Sequence, residues 1–237
     1  MNANIFYILA VVLVIAIGFR KIINLFIHRL VFGEYSRRYV LKFKQYTRKK
    51  PHAYCFKDDF YYHILSIHKA VTSAVQYQSE KVFDFDDLKF GTTLKAILKE
   101  RGQPDCFTIS EEKKVDFKVV GYKSRMFHSN EKTLLYHFNN KYFMGEYVFS
   151  SIASDTAELL VDMLKDQFHP DVKYAKNITI LDKAGNCIYF TDTGFYLSIK
   201  FFNRDFQVIQ NILELTKENT VNNVTPLHGI SRITNKH

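Results

Sequence analysis

Ten of the chain's 33 lysines and arginines stand between residues 20 and 50, opposed by a single acid, Glu34, and they follow nineteen residues without one charged side chain. The remaining 23 basic side chains are matched by 23 acidic ones over residues 51–237, so the formal net charge of +9 belongs to one segment. A net-neutral body argues against nucleic acid as a partner, because phosphate binding needs cations over the folded surface.

The uncharged run Ala3 to Phe19, ANIFYILAVVLVIAIGF, has seventeen residues, near the lower limit of about 17 to 25 for a spanning helix. It predicts a transmembrane anchor over 1–19. A cleaved signal peptide ending near Ala16-Ile-Gly18 is the alternative, but the leading MNAN carries no cation and Arg20-Lys21 follow the apolar run directly. That charge order is the reverse of a leader's. By the positive-inside rule the expectation is a single-pass membrane protein with its N-terminus outside and its C-terminal domain in the cytoplasm. The two N-x-T sequons, at Asn177 and Asn223, are then expected to be unmodified.

Residues 20–50 interleave Ile, Leu, Phe and Tyr with cations, the composition of an amphipathic juxtamembrane arm lying at a headgroup layer. Arg20, Lys21, Arg37, Arg38, Lys42, Lys44, Arg48, Lys49 and Lys50 are the expected membrane-surface contacts, with anionic lipid as partner. A solvated basic linker is the plainer alternative.

Residues 51–218 read as an α+β domain and 219–237 as a flexible polar tail. A helix over 58–78 carries an apolar stripe at Phe60, Ile64, Ile67, Val71 and Ala74. Two stretches that echo each other follow, LKAILKERGQPD from Leu94 and LVDMLKDQFHPD from Leu160. Each reads as a short helix: Thr92 or Thr93 caps the first and Gly102 ends it, while Ser154 or Asp155 caps the second. After the first come VDFKVVGY, KTLLYHF and KYFMGEYVF; after the second, NITIL, CIYFT and FYLSIKFF. These are strand-like in their β-branched and aromatic content. The fold expected is an N-terminal transmembrane helix followed by two tandem helix-plus-three-stranded antiparallel meander units, 83–150 and 151–203, with flanking helices, the last capped by Asp205.

Over residues 88–203, Phe90-Gly91-Thr92, Leu98, Gly102, Pro104 and the strand order resemble the units of the β-lactamase-inhibitor-protein fold and of the small outer-membrane-assembly lipoproteins. The resemblance implies a binding module working through a sheet face or loop rim. No lipobox cysteine stands near the start, so the lipoprotein role does not follow.

Chemistry leaves little trace. Cys55, Cys106 and Cys187 are odd in number and widely spaced, suggesting neither a disulfide framework nor a zinc ribbon and fitting a reducing compartment. His63 and His68 are five apart on one helix, the wrong spacing for a shared metal. FDFDD, Phe83 to Asp87, puts Lys95 where a calcium loop needs glutamate. No phosphate-cradling glycine pattern, nucleophile elbow or H-E-x-x-H helix occurs. No catalytic, cofactor-binding or metal-binding residue is nominated and no cofactor is expected. A triad assembled from Cys106, His128, His137 and His169 stays open. The function expected is a membrane-anchored protein-binding module, a scaffold subunit bound to other protein subunits. A membrane-tethered hydrolase or transferase with its site between the two units, and a lipid-surface sensor, are the alternatives.

Overall fold

The computed structural model describes residues 14, 17–55, 60–110, 116–126, 129–150, 156–203 and 214. Helices α1 (Arg20–Phe32), α2 (Arg37–Thr47) and α3 (Phe60–Ser73) come first, then strand β1 (Val75–Ser79) and helix α4 (Leu94–Arg101). Strands β2 (Cys106–Ile109), β3 (Phe117–Met126), β4 (Ser129–Phe138) and β5 (Lys141–Ser150) lead to helix α5 (Thr156–Gln167). The chain then forms β6 (Asn177–Asp182), β7 (Asn186–Asp192) and β8 (Tyr196–Asn203).

All eight strands join one sheet, in the order β1-β6-β7-β8-β5-β4-β3-β2. The last strands of the two meanders, β5 and β8, pair antiparallel from Met144↔Phe202 to Ser150↔Tyr196. The two helix-plus-meander units therefore merge through a seam rather than forming separate sheets. Each half gains an edge strand that its sequence pattern did not predict. β2 adds antiparallel to β3, and β1 adds parallel to β6 where VQYQS was read as the end of the 58–78 helix.

The helix starts and turns follow local chemistry. Thr93 caps α4 by accepting from the Ala96 N–H, and Gly102 at φ +79° closes it by donating to the Leu98 carbonyl. Asn139 and Asn140, both at positive φ, turn β4 into β5, a conformation in which Asn replaces Gly at least steric cost. The cap expected for α5 and the terminal helix after Asp205 fall largely outside the described residues.

The sheet is covered on both faces. One face packs α2, α4 and α5 through Tyr39, Val40, Leu94, Ile97, Leu160 and Leu164. The other receives α3 through Ile64, Ile67 and Val71. The repeat thus has a structural meaning, since both copies of the helix lie in the same core. Phe85, from the acidic FDFDD stretch, drops its ring over the bare backbone of Gly145 on the seam strand, where an added Cβ would lie 2.2 Å from the ring.

Two expectations are corrected here. Among the described residues no helix is long and apolar enough to cross a membrane, against the transmembrane anchor, the single-pass topology and the localisation built on it. Most of the run 1–19 that suggested the span lies outside the described residues. The cysteine reading also changes: Cys55 and Cys106, 51 residues apart, form a disulfide at a Cα–Cα distance of 5.0 Å, with Cys187 buried and outside that link. Counting cysteines could not reveal this, because pairing depends on approach in space. Gly121 makes room for it: a Cβ there would stand 2.3 Å from the Cys106 sulfur.

Replacing Gly145 by alanine forces the Phe85 ring to move, and overpacking of this kind costs about 1–3 kcal/mol. Denaturant unfolding of Gly145→Ala is expected to show that loss. The paired change Gly145→Ala with Phe85→Leu is expected to lose less than the two single changes added together.

Candidate functional site

Because side chains alternate across a strand, the register dictates which residues meet beneath α3. One row across the sheet reads Tyr136, Met144, Phe202, Cys187 and Leu181 and forms the apolar floor that α3 covers. The next row reads Leu134, Glu146, Lys200, Tyr189 and Thr179, and the third Lys132, Val148, Ser198, Thr191 and Asn177. The floor turns polar as α3 leaves it.

At the seam, Glu146 Oε1 accepts from Lys200 Nζ at 2.9 Å and from Ser198 Oγ at 2.8 Å. Lys200 Nζ also donates to Ser198 Oγ. Glu146 Oε2 takes the Tyr136 hydroxyl and lies 3.6 Å from His63 Nε2, which α3 brings down over the Tyr136 ring. Glu146, Lys200 and Ser198 are all 3% exposed or less. Burial alone would raise the Glu146 carboxyl, but the Lys200 ammonium and the His63 and Tyr136 hydrogen bonds outweigh it and hold it well below the usual carboxylate range. Burial, with the Glu146 charge beside it, pushes the Tyr136 hydroxyl well above its ordinary value. Glu146 is therefore an ionised acceptor filled by its own neighbours, a poor general acid or base.

Two cavities flank the pair. The larger, about 260 Å³, is lined by His63, Ile67, Asn177, Tyr189, Thr191 and Lys200 among others. The smaller, about 210 Å³, is lined by His63, Lys132, Leu134, Tyr136 and Glu146. The ion pair is thus a partition, its ammonium on one side and its carboxylate on the other.

The residues nominated from sequence lie elsewhere, on the α1–α2 hairpin and the segment after it. No residue of α1 is buried. Asn24, Leu25 and His28 are half-buried, while Ile22, Ile23, Phe26, Ile27, Leu30 and Val31 form an outward apolar stripe, Leu30 being 69% exposed. Arg20, Lys21, Arg38, Arg48, Lys49 and Lys50 are exposed, and Arg37, Lys42 and Lys44 half-buried. Ser36 caps α2 by accepting from Tyr39 N–H, and Tyr39 and Val40 anchor it to the core. Arg38 lies over Phe32, Lys42 over Tyr46 and Lys50 over Tyr54. Tyr35 stacks on His52, and both rings meet Phe107 on the edge strand β2, fixing the hairpin's exit to the sheet.

Of the histidines and cysteine considered as a dispersed triad, the described ones, Cys106, His137 and His169, stand on or beside different elements. Cys106 is in the disulfide, and His128 lies outside the described residues. His169 follows α5, its Nδ1 accepting from the Asp171 N–H. His137 is wholly buried beside Tyr142. Burial lowers its imidazole to about 4, with the Lys118 charge adding to the fall. In the sequon Asn177-Ile-Thr179, Thr179 is wholly buried and Asn177 Oδ1 accepts from Tyr189 and Thr191.

Sequence reasoning missed Glu146, Lys200 and Ser198. The available signal was a charge in the middle of two otherwise apolar strands, GEYVF and LSIKFF, which a two-sided sheet must pair.

The fold and these surfaces define a single-sheet α+β protein with an internally neutralised ion pair and an exposed apolar, cation-rimmed hairpin. No family model matches the sequence, and neither a curated protein nor a solved structure matches it.

Removing one member of a buried pair strands the other charge, at about 3–5 kcal/mol, whereas exchanging both for apolar residues is often near neutral. Glu146→Leu and Lys200→Met are each expected to lose stability on that scale in chemical denaturation, and the double variant to recover most of it. Acid acts through His137 first. Its folded value of about 4 lies below the ordinary 6.5, so its contribution is complete above pH 6.5 and falls by on the order of 3 kcal/mol as pH drops towards 4. Glu146, with its value depressed, loses its contribution at still lower pH. Denaturation midpoints across this range are expected to be flatter for His137→Leu than for the parent chain.

Proposed function

We propose that the chain is an interaction module that docks on an anionic lipid surface through the α1–α2 hairpin and presents its neutral sheet body to protein subunits. The observation that carries this reading is the unburied apolar stripe of α1 among ten cations, with Glu34 the one acid between residues 20 and 50. An apolar helix face rimmed by Lys and Arg lies in the plane of a headgroup layer, its greasy side pressed towards the acyl boundary. No bilayer-crossing helix is needed for that.

Two contributions of similar size support it. Full burial of a Leu, Ile or Phe side chain contributes about 1.5–3 kcal/mol, and each cation near an anionic leaflet on the order of 1 kcal/mol. The cations also explain why lipid is a better occupant of the stripe than a second copy of the chain, since two such hairpins would repel each other. The resemblance of residues 88–203 to inhibitor-type binding units points the same way for the body, as a surface for protein partners.

Vesicle flotation tests the reading. The full chain is expected to float with vesicles of phosphatidylcholine mixed with phosphatidylglycerol and to stay behind with phosphatidylcholine alone or at high salt. Phe26→Glu with Leu30→Glu is expected to abolish flotation, and Arg48→Glu, Lys49→Glu and Lys50→Glu together to weaken it by roughly tenfold or more. Flotation that ignores both headgroup charge and these substitutions, or that never occurs, contradicts the proposal.

A further inference from the structure

The geometry points to a second site, independent of lipid docking: the 260 Å³ cavity beneath α3 binds a small organic carboxylate, held by the Lys200 ammonium and the Asn177 amide. The ion pair sorts charge between the two cavities, because Lys200 lines the larger one and Glu146 lines only the smaller. An entering anion therefore faces the ammonium while the carboxylate stands behind it.

The donors are oriented. A lysine has three N–H bonds to give. Glu146 Oε1 and Ser198 Oγ receive two of them, so the third remains for the cavity that the ammonium lines. Asn177 is turned by its neighbours: Tyr189 donates to Oδ1 at 2.8 Å and Thr191 at 2.9 Å. With the oxygen so used, the amide's Nδ2 is left as the donor group. Both hydroxyl protons are spent on Asn177, so the cavity offers an ammonium and an amide N–H in fixed positions.

The rest of the lining is mixed, with His63, Ser66 and Thr191 standing among the apolar groups. Ile67 and Ala70 of α3 form one wall, and the rings of Tyr189 and Tyr196 lie in the others. The volume falls below the roughly 300–1,000 Å³ usual for drug-sized ligands, which limits the occupant to about the size of a single ring or a short branched acid.

Benzoate is a suitable probe, since it joins one carboxylate to one ring, with benzamide as its neutral control. In nuclear magnetic resonance titrations of the full chain without vesicles, benzoate at up to tens of millimolar is expected to give saturable shifts in β6, β7, β8 and α3, and benzamide none. Asn177→Asp keeps the acceptor that Tyr189 and Thr191 need, replaces the donor by a negative oxygen, and sits at an exposed position. It is expected to weaken benzoate by at least roughly tenfold while unfolding at the parent's midpoint. Glu146→Leu with Lys200→Met, which removes the cation without stranding a charge, is expected to do the same. Shifts that do not saturate, that benzamide reproduces, or that Asn177→Asp leaves unchanged would overturn the assignment. Vesicle flotation is unaffected by either outcome, so this site and the lipid surface fail separately.

Discussion

Glu146 and Lys200 face each other across the one strand pair that joins the two halves of the sheet, β5 with β8. Everything on either side depends on that seam. Without it the chain would be two small meanders, each with a raw edge and a half-covered face. With it, the edges move outward to β1 and β2, and a single core under α2, α4 and α5 runs the width of the molecule. A buried pair adds little stability over an apolar replacement of the same shape. Its contribution here is to register, since a slip of one residue would turn both charges into the opposite, apolar core.

The same pair divides the space beneath α3. A charge taken out of water must be matched by partners, and Glu146 is matched by Lys200, Ser198, Tyr136 and His63. That saturation removes it from acid–base chemistry and leaves the ammonium side of the partition as the side with donors to offer. The hairpin is built on the opposite principle: no residue of α1 is fully buried, though Leu25 touches the core, and α2 is pinned there by the buried Tyr39 and Val40 with Phe43 packed beside them.

Local chemistry made much of the fold legible. Thr93, Gly102 and Asn139-Asn140 each impose a conformation on their own few residues, so caps and turns could be read directly. The six meander strands announced themselves by β-branched and aromatic runs. Their joining into one sheet did not, because pairing between β5 and β8 is a contact across some fifty residues of chain that no periodicity encodes. VQYQS could equally continue a helix or start a strand, and only the vacant edge of β6 decides it. The Cys55–Cys106 link was hidden for the same reason. The uncharged run before Arg20 suggested a span by composition; among the described residues no helix is long and apolar enough to cross a membrane, and most of that run lies outside them. The site was less legible than the fold. Its cations were found by counting, whereas Lys200 and Glu146 drew no notice because each was read within its own strand.

Hydrogen–deuterium exchange of the full chain, with and without vesicles containing phosphatidylglycerol, tests the account most directly. Slow amides along β5 and β8 in both conditions, with vesicle-induced protection confined to residues 20–50, are what the account predicts. Fast exchange at the β5–β8 seam, or vesicle protection spread over the sheet and absent from α1, would contradict it.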